Sequence, residues 1–201
     1  ANNGNVIGIP SWVEGRFGRA MNFDGTNYIE VPNNPSLNFG ASDSFTLEAW
    51  VKFETPASGS RGIISKNILT PDIIWSIFLR EIGGTQILTL FYKSDTETTS
   101  IDYDATSLFD GVYHHISGVR DKGIDQARLY IDGTNVGETA DLTTDLTSTS
   151  PIYIGSIDGN ELSNFQGRID EVRISNTARP ADWIKRIYEQ GLSRLDPEES
   201  L

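Results

Sequence analysis

Between Phe45 and Phe53 the chain reads FTLEAWVKF, a stretch in which apolar side chains alternate with other side chains. Successive side chains of a β-strand point to opposite faces of the sheet, so the alternation predicts a strand. The two phenylalanines, the leucine, the alanine and the valine share one face, which suits a hydrophobic core. Glu48 and Trp50 lie on the opposite face.

The same alternation recurs along the chain between turns built from glycine, asparagine and aspartate. The segment 127–131 leads into an Asp-Gly turn and a hairpin partner at 135–138. Further strands are predicted at 21–23, 28–31, 63–66, 75–80, 87–92, 99–103, 114–120, 152–155 and 167–174. Many short strands separated by such turns indicate an all-β sandwich or barrel.

Helical spacing of apolar residues occurs near the end of the chain, where Ile184 and Ile187 lie one turn apart. This spacing predicts a helix over 180–189, which Gly191 is expected to stop. Residues 191–201 are expected to form a charged, frayed tail. No linker composition interrupts the sequence, so we predict a single domain over 1–201, with a core at about 15–190.

The composition argues against several classes of protein. The 201 residues carry a net charge of −12 and show no basic cluster, which disfavours nucleic-acid binding. Cysteine is absent, so disulfides and thiolate zinc sites are excluded. The longest apolar cluster, 73–79, is far shorter than the roughly 18 residues of a membrane span, so no membrane insertion is expected. The first residues lack the pattern of a signal peptide, and we expect a mature chain or a piece of a larger one.

Several short blocks occur in an order that is specific when they are taken together. They are GRFGRAMNFDG at 15–25, YIEVP at 28–32, FTLEAWV at 45–51, YHHISGV at 113–119, LYIDG at 129–133, IYIG at 152–155 and GRIDEVRI at 167–174. In order and spacing they resemble a laminin-G-like domain of the concanavalin A-like lectin/glucanase superfamily, in the version common in bacterial exported proteins. The resemblance implies an antiparallel two-sheet jelly-roll sandwich that binds glycans or surface proteins more often than it catalyses a reaction.

The resemblance also implies a structural calcium ion in many family members. Its expected ligands here are the side chains of Asp24 and Asp170, together with backbone carbonyls from Gly25 to Asn27 and of Asp170 itself. A glycine turn with a carboxylate suits calcium, which takes six to eight oxygen ligands. The alternative is that Asp24 caps a turn and that Asp170 pairs with an arginine.

Trp50 points away from the predicted core and permits two interpretations. It can stack on a sugar ring, or it can be buried beneath the C-terminal helix, whose apolar residues need a surface to cover. In the second case Glu48 and Arg173 are expected to form a covered ion pair. Trp75, in a strongly apolar strand, is predicted to lie in the core.

Loops at the edges of the sandwich supply further candidate ligand-binding residues, because ligands often bind at such loops. One group lies between residues 54 and 72 and comprises Arg61, Lys66 and Asn67. The second lies between residues 157 and 166 and comprises Asp158, Asn160 and Asn164. Amides and carboxylates of this kind can bond sugar hydroxyls, but the same composition is ordinary for solvated loops.

Catalysis finds little support in the sequence. A glycosidase needs two carboxylates across the scissile bond, and only Asp102 and Asp104 alternate on one predicted strand. The carboxylate motif of laminarinase-like enzymes of the superfamily is absent. His114 and His115 are adjacent on a strand, point to opposite faces and cannot share a metal ion, so both are interpreted as structural.

The sequence therefore predicts a non-catalytic carbohydrate-binding module of an exported bacterial protein, outside the cell or on its surface, with a structural calcium ion. The expected partner is a glycan or polysaccharide, or other surface proteins, and the domain is expected to be one module of a larger chain. The alternatives are a protein–protein adhesion or spacer module and, less favoured, a glycoside hydrolase.

Overall fold

The computed structural model describes residues 2–66 and 74–193, which contain fourteen β-strands, three short 3-10 helices and one α-helix. The strands are β1 Asn5–Ile7, β2 Ser11–Glu14, β3 Arg19–Asp24, β4 Tyr28–Val31, β5 Phe45–Phe53, β6 Ser60–Lys66, β7 Trp75–Ile82, β8 Thr85–Lys93, β9 Thr98–Asp104, β10 His114–Asp121, β11 Gln126–Ile131, β12 Thr134–Ala140, β13 Ile152–Ile154 and β14 Gln166–Ser175. The helix, α1, is Ala181–Ser193. The predicted strands are confirmed. The alternation did not reveal two further strands, β1 and β2.

The strands form two antiparallel sheets of seven strands each. Sheet I has the order β1-β4-β13-β6-β7-β8-β9, and sheet II has the order β12-β11-β10-β5-β14-β3-β2. Sheet I pairs the early strand β4 with the late strand β13, and sheet II pairs β5 with both β10 and β14. The predicted all-β sandwich of two antiparallel sheets is therefore confirmed.

The core fills the space between the two sheets. The inward residues of β5 are all buried, and Phe45 stacks on Phe39 with ring centroids 4.4 Å apart. Trp75 is fully buried and its ring centroid lies 5.9 Å from that of Phe45, which confirms its predicted place in the core. The alternation of β5 thus assigns its two faces correctly.

Helix α1 covers part of the outer face of sheet II. Its Ile184 is fully buried against Val119 and Tyr130 of the sheet. The helix continues through Gly191, so the prediction that this glycine stops it is wrong. A Cβ atom at Gly191 would overlap the ring of Trp50, and its absence lets the helix approach the sheet. Residues 194–201 of the predicted tail lie outside the described residues.

A buried arginine ties two loops to sheet II. Arg120 of β10 is fully buried, and its Nε donates to Asp141 Oδ2 at 2.7 Å. Burial raises the pKa of Asp141, but hydrogen bonds from Thr143 and Arg120 outweigh burial and lower the pKa below its usual value. The remaining donors of Arg120 reach four backbone carbonyls, those of Gly40, Asp43, Thr143 and Thr144.

Within the described residues, no helix combines the length and apolar character that crossing a bilayer requires.

Candidate functional site

The turn after β3 holds Asp24 in a local hydrogen-bond pattern. Asp24 Oδ1 accepts from both the backbone amide and the hydroxyl of Thr26, at 2.8 and 2.7 Å. These hydrogen bonds lower the pKa of Asp24. Asn27 is buried, and its amide donates to the carbonyls of Ile9 and Asn22. The carbonyl of Gly25 accepts from Asn164 at 3.2 Å.

Asp170 lies elsewhere on the same pair of strands. In the β3–β14 ladder, Asp24 is opposite Gln166, four residues before Asp170. At about 3.3 Å per strand residue, the backbone positions of Asp24 and Asp170 are offset by roughly 13 Å along the strands. Asp170 accepts backbone amides instead, from Phe17 and Glu171, both at 2.8 Å.

The expected calcium ligands therefore do not form one site. Asp24 caps its turn, as the alternative interpretation held, whereas Asp170 binds backbone amides rather than an arginine. Among residues 2–66 and 74–193, no three His, Cys, Asp or Glu side chains are grouped so as to hold a metal ion. Calcium binding stays a prediction, and Asp24 and Asp170 do not fit a shared ion.

Trp50 is buried beneath α1, so it provides no platform for a sugar. Only 2% of its surface is exposed. Its ring lies 5.8 Å from that of Tyr188 on the helix, and the Arg16 guanidinium lies 4.9 Å from its centre. Of the two interpretations of Trp50, burial under the helix is the one that the structure supports.

The expected ion pair between Glu48 and Arg173 is not formed. The two residues are opposite each other on β5 and β14, but Arg173 contacts Glu171 at 3.7 Å and lies over the ring of Trp183. Glu48 is buried, and its closest basic atom in the described structure is Nε2 of His115, at 3.4 Å. Beside Glu48 lies a pocket of about 260 Å³. We call it the helix pocket; its lining comprises Phe17, Glu48, Trp50, His115, Glu171, Arg173, Ile187 and Gln190.

Three of the loop candidates meet in space. Arg61 donates to the carbonyl of Leu162, in the loop 156–164 that contains Asp158 and Asn160. Asp158 accepts from the amide of Asn160, and Asn160 accepts from the amide of Leu162. These side chains therefore shape the loop.

Two other loop candidates, Asn164 and Lys66, are buried. Asn164 is buried under the Gly25 turn. Lys66 is fully buried and donates to Asn33 Oδ1 at 2.7 Å, and burial lowers its pKa to about 8. Both positions are unsuited to direct ligand contact. Asn67 lies outside the described residues.

The outer face of sheet I carries four half-buried aromatic side chains that point away from the core. Tyr153, Ser65, Ser76 and Phe91 follow one another in register across four strands, β13, β6, β7 and β8. The two serines are fully buried, so the rings are the accessible part of this row. We define the sheet I face as the outer side chains Tyr28, Tyr153, Phe78, Phe91, Arg80 and Asp102.

A polar network lies at one end of the sheet I face. Arg80 binds both carboxylate oxygens of Asp102, at 3.0 and 2.8 Å, and Asp102 accepts from Thr89 at 2.7 Å. The Arg80 guanidinium also lies 5.8 Å from the ring centre of Phe78. Both charged side chains are partly exposed, at 33% and 45%.

The loop 156–164 borders the other end of the sheet I face. Tyr28 and Tyr153 form an edge-to-face pair with centroids 5.9 Å apart. A Cβ at Gly159 would lie 3.1 Å from the ring of Tyr153 and 3.1 Å from the hydroxyl oxygen of Tyr28, so this loop rests directly on the pair. Gly62 permits the approach, because a side chain there would overlap the backbone of Ser156. Burial raises the pKa of Tyr153, which keeps its hydroxyl protonated at neutral pH.

The remaining candidates for chemistry are occupied by structural contacts. Asp102 binds Arg80, and Asp104 accepts from the amide of Thr106. Both ring nitrogens of His114 face carboxylates, those of Asp132 at 2.7 Å and Asp110 at 3.1 Å. Burial alone would lower the pKa of His114, but these two carboxylates outweigh burial and raise it.

Comparison with known proteins identifies the family. The sequence model of the concanavalin A-like lectin/glucanases superfamily, in its laminin-G-like form, matches residues 23–185. The chain belongs to this family. A Crh-like protein of Arthroderma benhamiae is 29% identical over 136 residues, which cover 64% of this chain and 29% of that protein. The chain thus spans less than a third of this curated relative.

Solved structures resemble this laminin-G-like domain in fold. The binding domain of Paraclostridial Mosquitocidal Protein 1 is 18% identical with a TM-score of 0.75, over 94% of this chain and 48% of that one. Domain 4 of AbnA, an extracellular arabinanase from Geobacillus stearothermophilus solved with arabinotriose, is 18% identical with a TM-score of 0.67, over 92% and 87%. The receptor binding domain of botulinum neurotoxin mosaic serotype C/D is 17% identical with a TM-score of 0.72, over 94% and 46%.

The aromatic side chains of the sheet I face were missed as site residues, although the sequence carries a signal for them. Trp75 and Leu88 point into the core, so strand alternation places Phe78 and Phe91 on the outer face. Alternation does not show whether an outer face is covered. In this laminin-G-like domain the helix covers the part of sheet II that contains Trp50, the candidate that the sequence analysis placed on an outer sheet face.

Proposed function

We propose that this laminin-G-like domain is a non-catalytic carbohydrate-binding module whose glycan contacts the sheet I face. The supporting observation is the set of four half-buried rings on the outer face of a sheet that α1 does not cover. Sugar rings present apolar C–H groups on one side, and aromatic rings offer a matching apolar surface. The solved arabinotriose complex of AbnA domain 4, which has the same fold, supports a glycan as ligand.

The polar residues beside the rings suit the hydroxyl groups of a sugar. Arg80 supplies donors, and Asp102 supplies acceptors, at one end of the sheet I face. Loop 156–164 limits the face at the other end, near Tyr28. The row from Tyr153 to Phe91 spans three strand spacings, about 14 Å, which suits a short oligosaccharide rather than one sugar.

The test compares aromatic substitutions on the two sheets. Tyr153→Ala and Phe91→Ala should each weaken retention on the bound polysaccharide at least about fivefold, since one aromatic contact contributes about 1 kcal/mol. Trp12→Ala is the matched control, because Trp12 is an aromatic residue on the edge strand of sheet II with 47% exposure. A glycan array and affinity electrophoresis on insoluble polysaccharides supply the measurements. Equal retention of all three variants would refute the assignment of the site.

A protein-binding adhesion module is the second candidate. Its support is the edge strand β2 and the residues before it, where Ile9 and Trp12 are exposed at 80% and 47%. Exposed apolar groups at a sheet edge suit contact with another protein. Absence of retention on neutral, acidic and amino sugars would favour this candidate. A location outside the cell and attachment to a larger protein stay predictions for both candidates.

A further inference from the structure

Glu48 is a buried carboxylate without hydrogen-bond donors in the described structure. Its side chain is 2% exposed, and neither oxygen accepts a hydrogen bond from residues 2–66 or 74–193. Burying a charged group costs about several kcal/mol unless a hydrogen-bonding or oppositely charged partner compensates for the lost hydration. Because Glu48 lines the helix pocket, a group placed in that pocket can supply the compensation.

Other acceptors at the same place also lack partners. His115 Nε2 faces Glu48, and we assign the ring proton to this nitrogen. Nδ1 then keeps a lone pair, and it is buried without a partner among the described residues. Ser117, opposite Glu48 on β10, has a buried hydroxyl that is also unpaired there. Of these groups, Glu48 and His115 line the pocket, and the two oxygens of Glu48 are its unpaired acceptors.

The cation nearest in the sheet does not neutralise Glu48. Arg173 is directed to Glu171 and to the ring of Trp183, with 41% of its side chain exposed. Glu171 lies in a β-bulge, with φ of 49°, where β14 places two residues against Ala49. The bulge places the Arg173–Glu171 pair at the pocket, and Glu48 receives no hydrogen bond from Arg173.

We infer that the helix pocket binds a primary ammonium group that carries a short apolar chain. An ammonium has three N–H donors and no lone pair, which matches the two unpaired oxygens of Glu48. The walls formed by Phe17, Trp50 and Ile187 suit the apolar chain. A volume of about 260 Å³ lies just below the usual range of ligand sites and suits a small ligand better than an oligosaccharide.

This site is independent of the proposed glycan surface, since it lies on sheet II under α1. Two sources can supply the same ammonium chemistry, a small free amine or the lysine side chain of a partner protein. A divalent metal ion suits the pocket poorly, because the described residues contain no group of three metal-binding side chains.

The experiment titrates the folded domain with n-butylammonium chloride and follows the histidine ring signals by NMR. The chain contains two histidines, which makes the readout specific. His115 lines the pocket and should shift saturably, whereas His114, whose ring nitrogens face Asp132 and Asp110, should not. Nα-acetyl-lysine N-methylamide and putrescine, titrated separately, distinguish a lysine side chain from a free diamine.

Glu48→Gln should lower the affinity for n-butylammonium about tenfold or more, since a charged hydrogen bond is lost. Glu161→Gln is the matched control, because Glu161 is exposed in the loop 156–164. Neutral n-butanol and potassium chloride should produce no saturable shift of His115 in the wild-type domain.

Unchanged affinity in Glu48→Gln would overturn the inference, as would an equal response to n-butanol or to potassium. The wild-type titrations decide the matter if the variant does not fold. Retention of polysaccharide by a folded Glu48→Gln domain should equal that of the wild type, so failure of this site and failure of the glycan proposal can be told apart.

Discussion

Replacing the buried Arg120 by methionine should destabilise the domain by about 3 kcal/mol, because removal of one partner leaves a buried charge. Asp141, its partner, is fully buried as well. Four loop carbonyls also lose their donor. Lys122 Nζ, 3.6 Å from Asp141, compensates in part, which places the expected loss at the lower end of the usual range. The unfolding midpoint should fall by roughly 6–12 °C for a domain of this size.

Urea unfolding followed by circular dichroism measures the free energy of unfolding directly. Arg168→Met is the control, because its ion pair with Glu54 is partly exposed, and it should cost about 1 kcal/mol or less. The double variant Arg120→Met, Asp141→Leu should recover part of the loss, since no buried charge is left without a partner. A loss below about 1 kcal/mol for Arg120→Met, or strictly additive losses in the double variant, would refute the reasoning.

Three further predictions concern other residues. Gly191→Ala, which normally stabilises a helix by about 1 kcal/mol, should instead lower the unfolding midpoint, because its Cβ would overlap Trp50; a higher midpoint would contradict the packing. The raised pKa of His114 means that its stabilisation is complete below the unfolded pKa, about 6.5, and is lost as pH rises through the folded pKa. The stability difference between wild type and His114→Gln should therefore be larger at about pH 5.5 than at about pH 8.5, and the reverse order would contradict it. We expect no single ion to bind both Asp24 and Asp170. If adding calcium or EDTA changes the unfolding midpoint, Asp24→Asn and Asp170→Asn should therefore not both abolish that change as single variants.

The sequence predicted the faces of the strands well because alternation depends only on local geometry. The nine residues of β5 divide between core and outer face as expected, and Trp75 lies in the core. Packing of the helix was predicted in outline, since Ile184 is buried on sheet II. The end of the helix was not predicted, because Gly191 permits close contact with Trp50 and does not end the helix.

The expected calcium site depended on the register between distant strands, which a sequence does not carry. Asp24 and Asp170 do lie on neighbouring strands, β3 and β14. Their offset of four residues follows from the pairing of Asp24 with Gln166. A shift of register moves a side chain by several ångströms per residue, so correct strand order does not suffice to assemble a ligand set.

Coverage of the outer faces decides which surfaces can bind a ligand, and it arises only when the helix packs. From strand alternation alone, Trp50 on sheet II and Phe91 on sheet I are both aromatic side chains that point away from the core. Afterwards Trp50 is 2% exposed, whereas Phe91 stays half-buried on a face that α1 does not cover. The helix that removes Trp50 from the surface also supplies Ile187 and Gln190 to the wall of the pocket beside Glu48. One packing event therefore leaves sheet I with the surface that we propose for a glycan and sheet II with the pocket that we propose for an ammonium group.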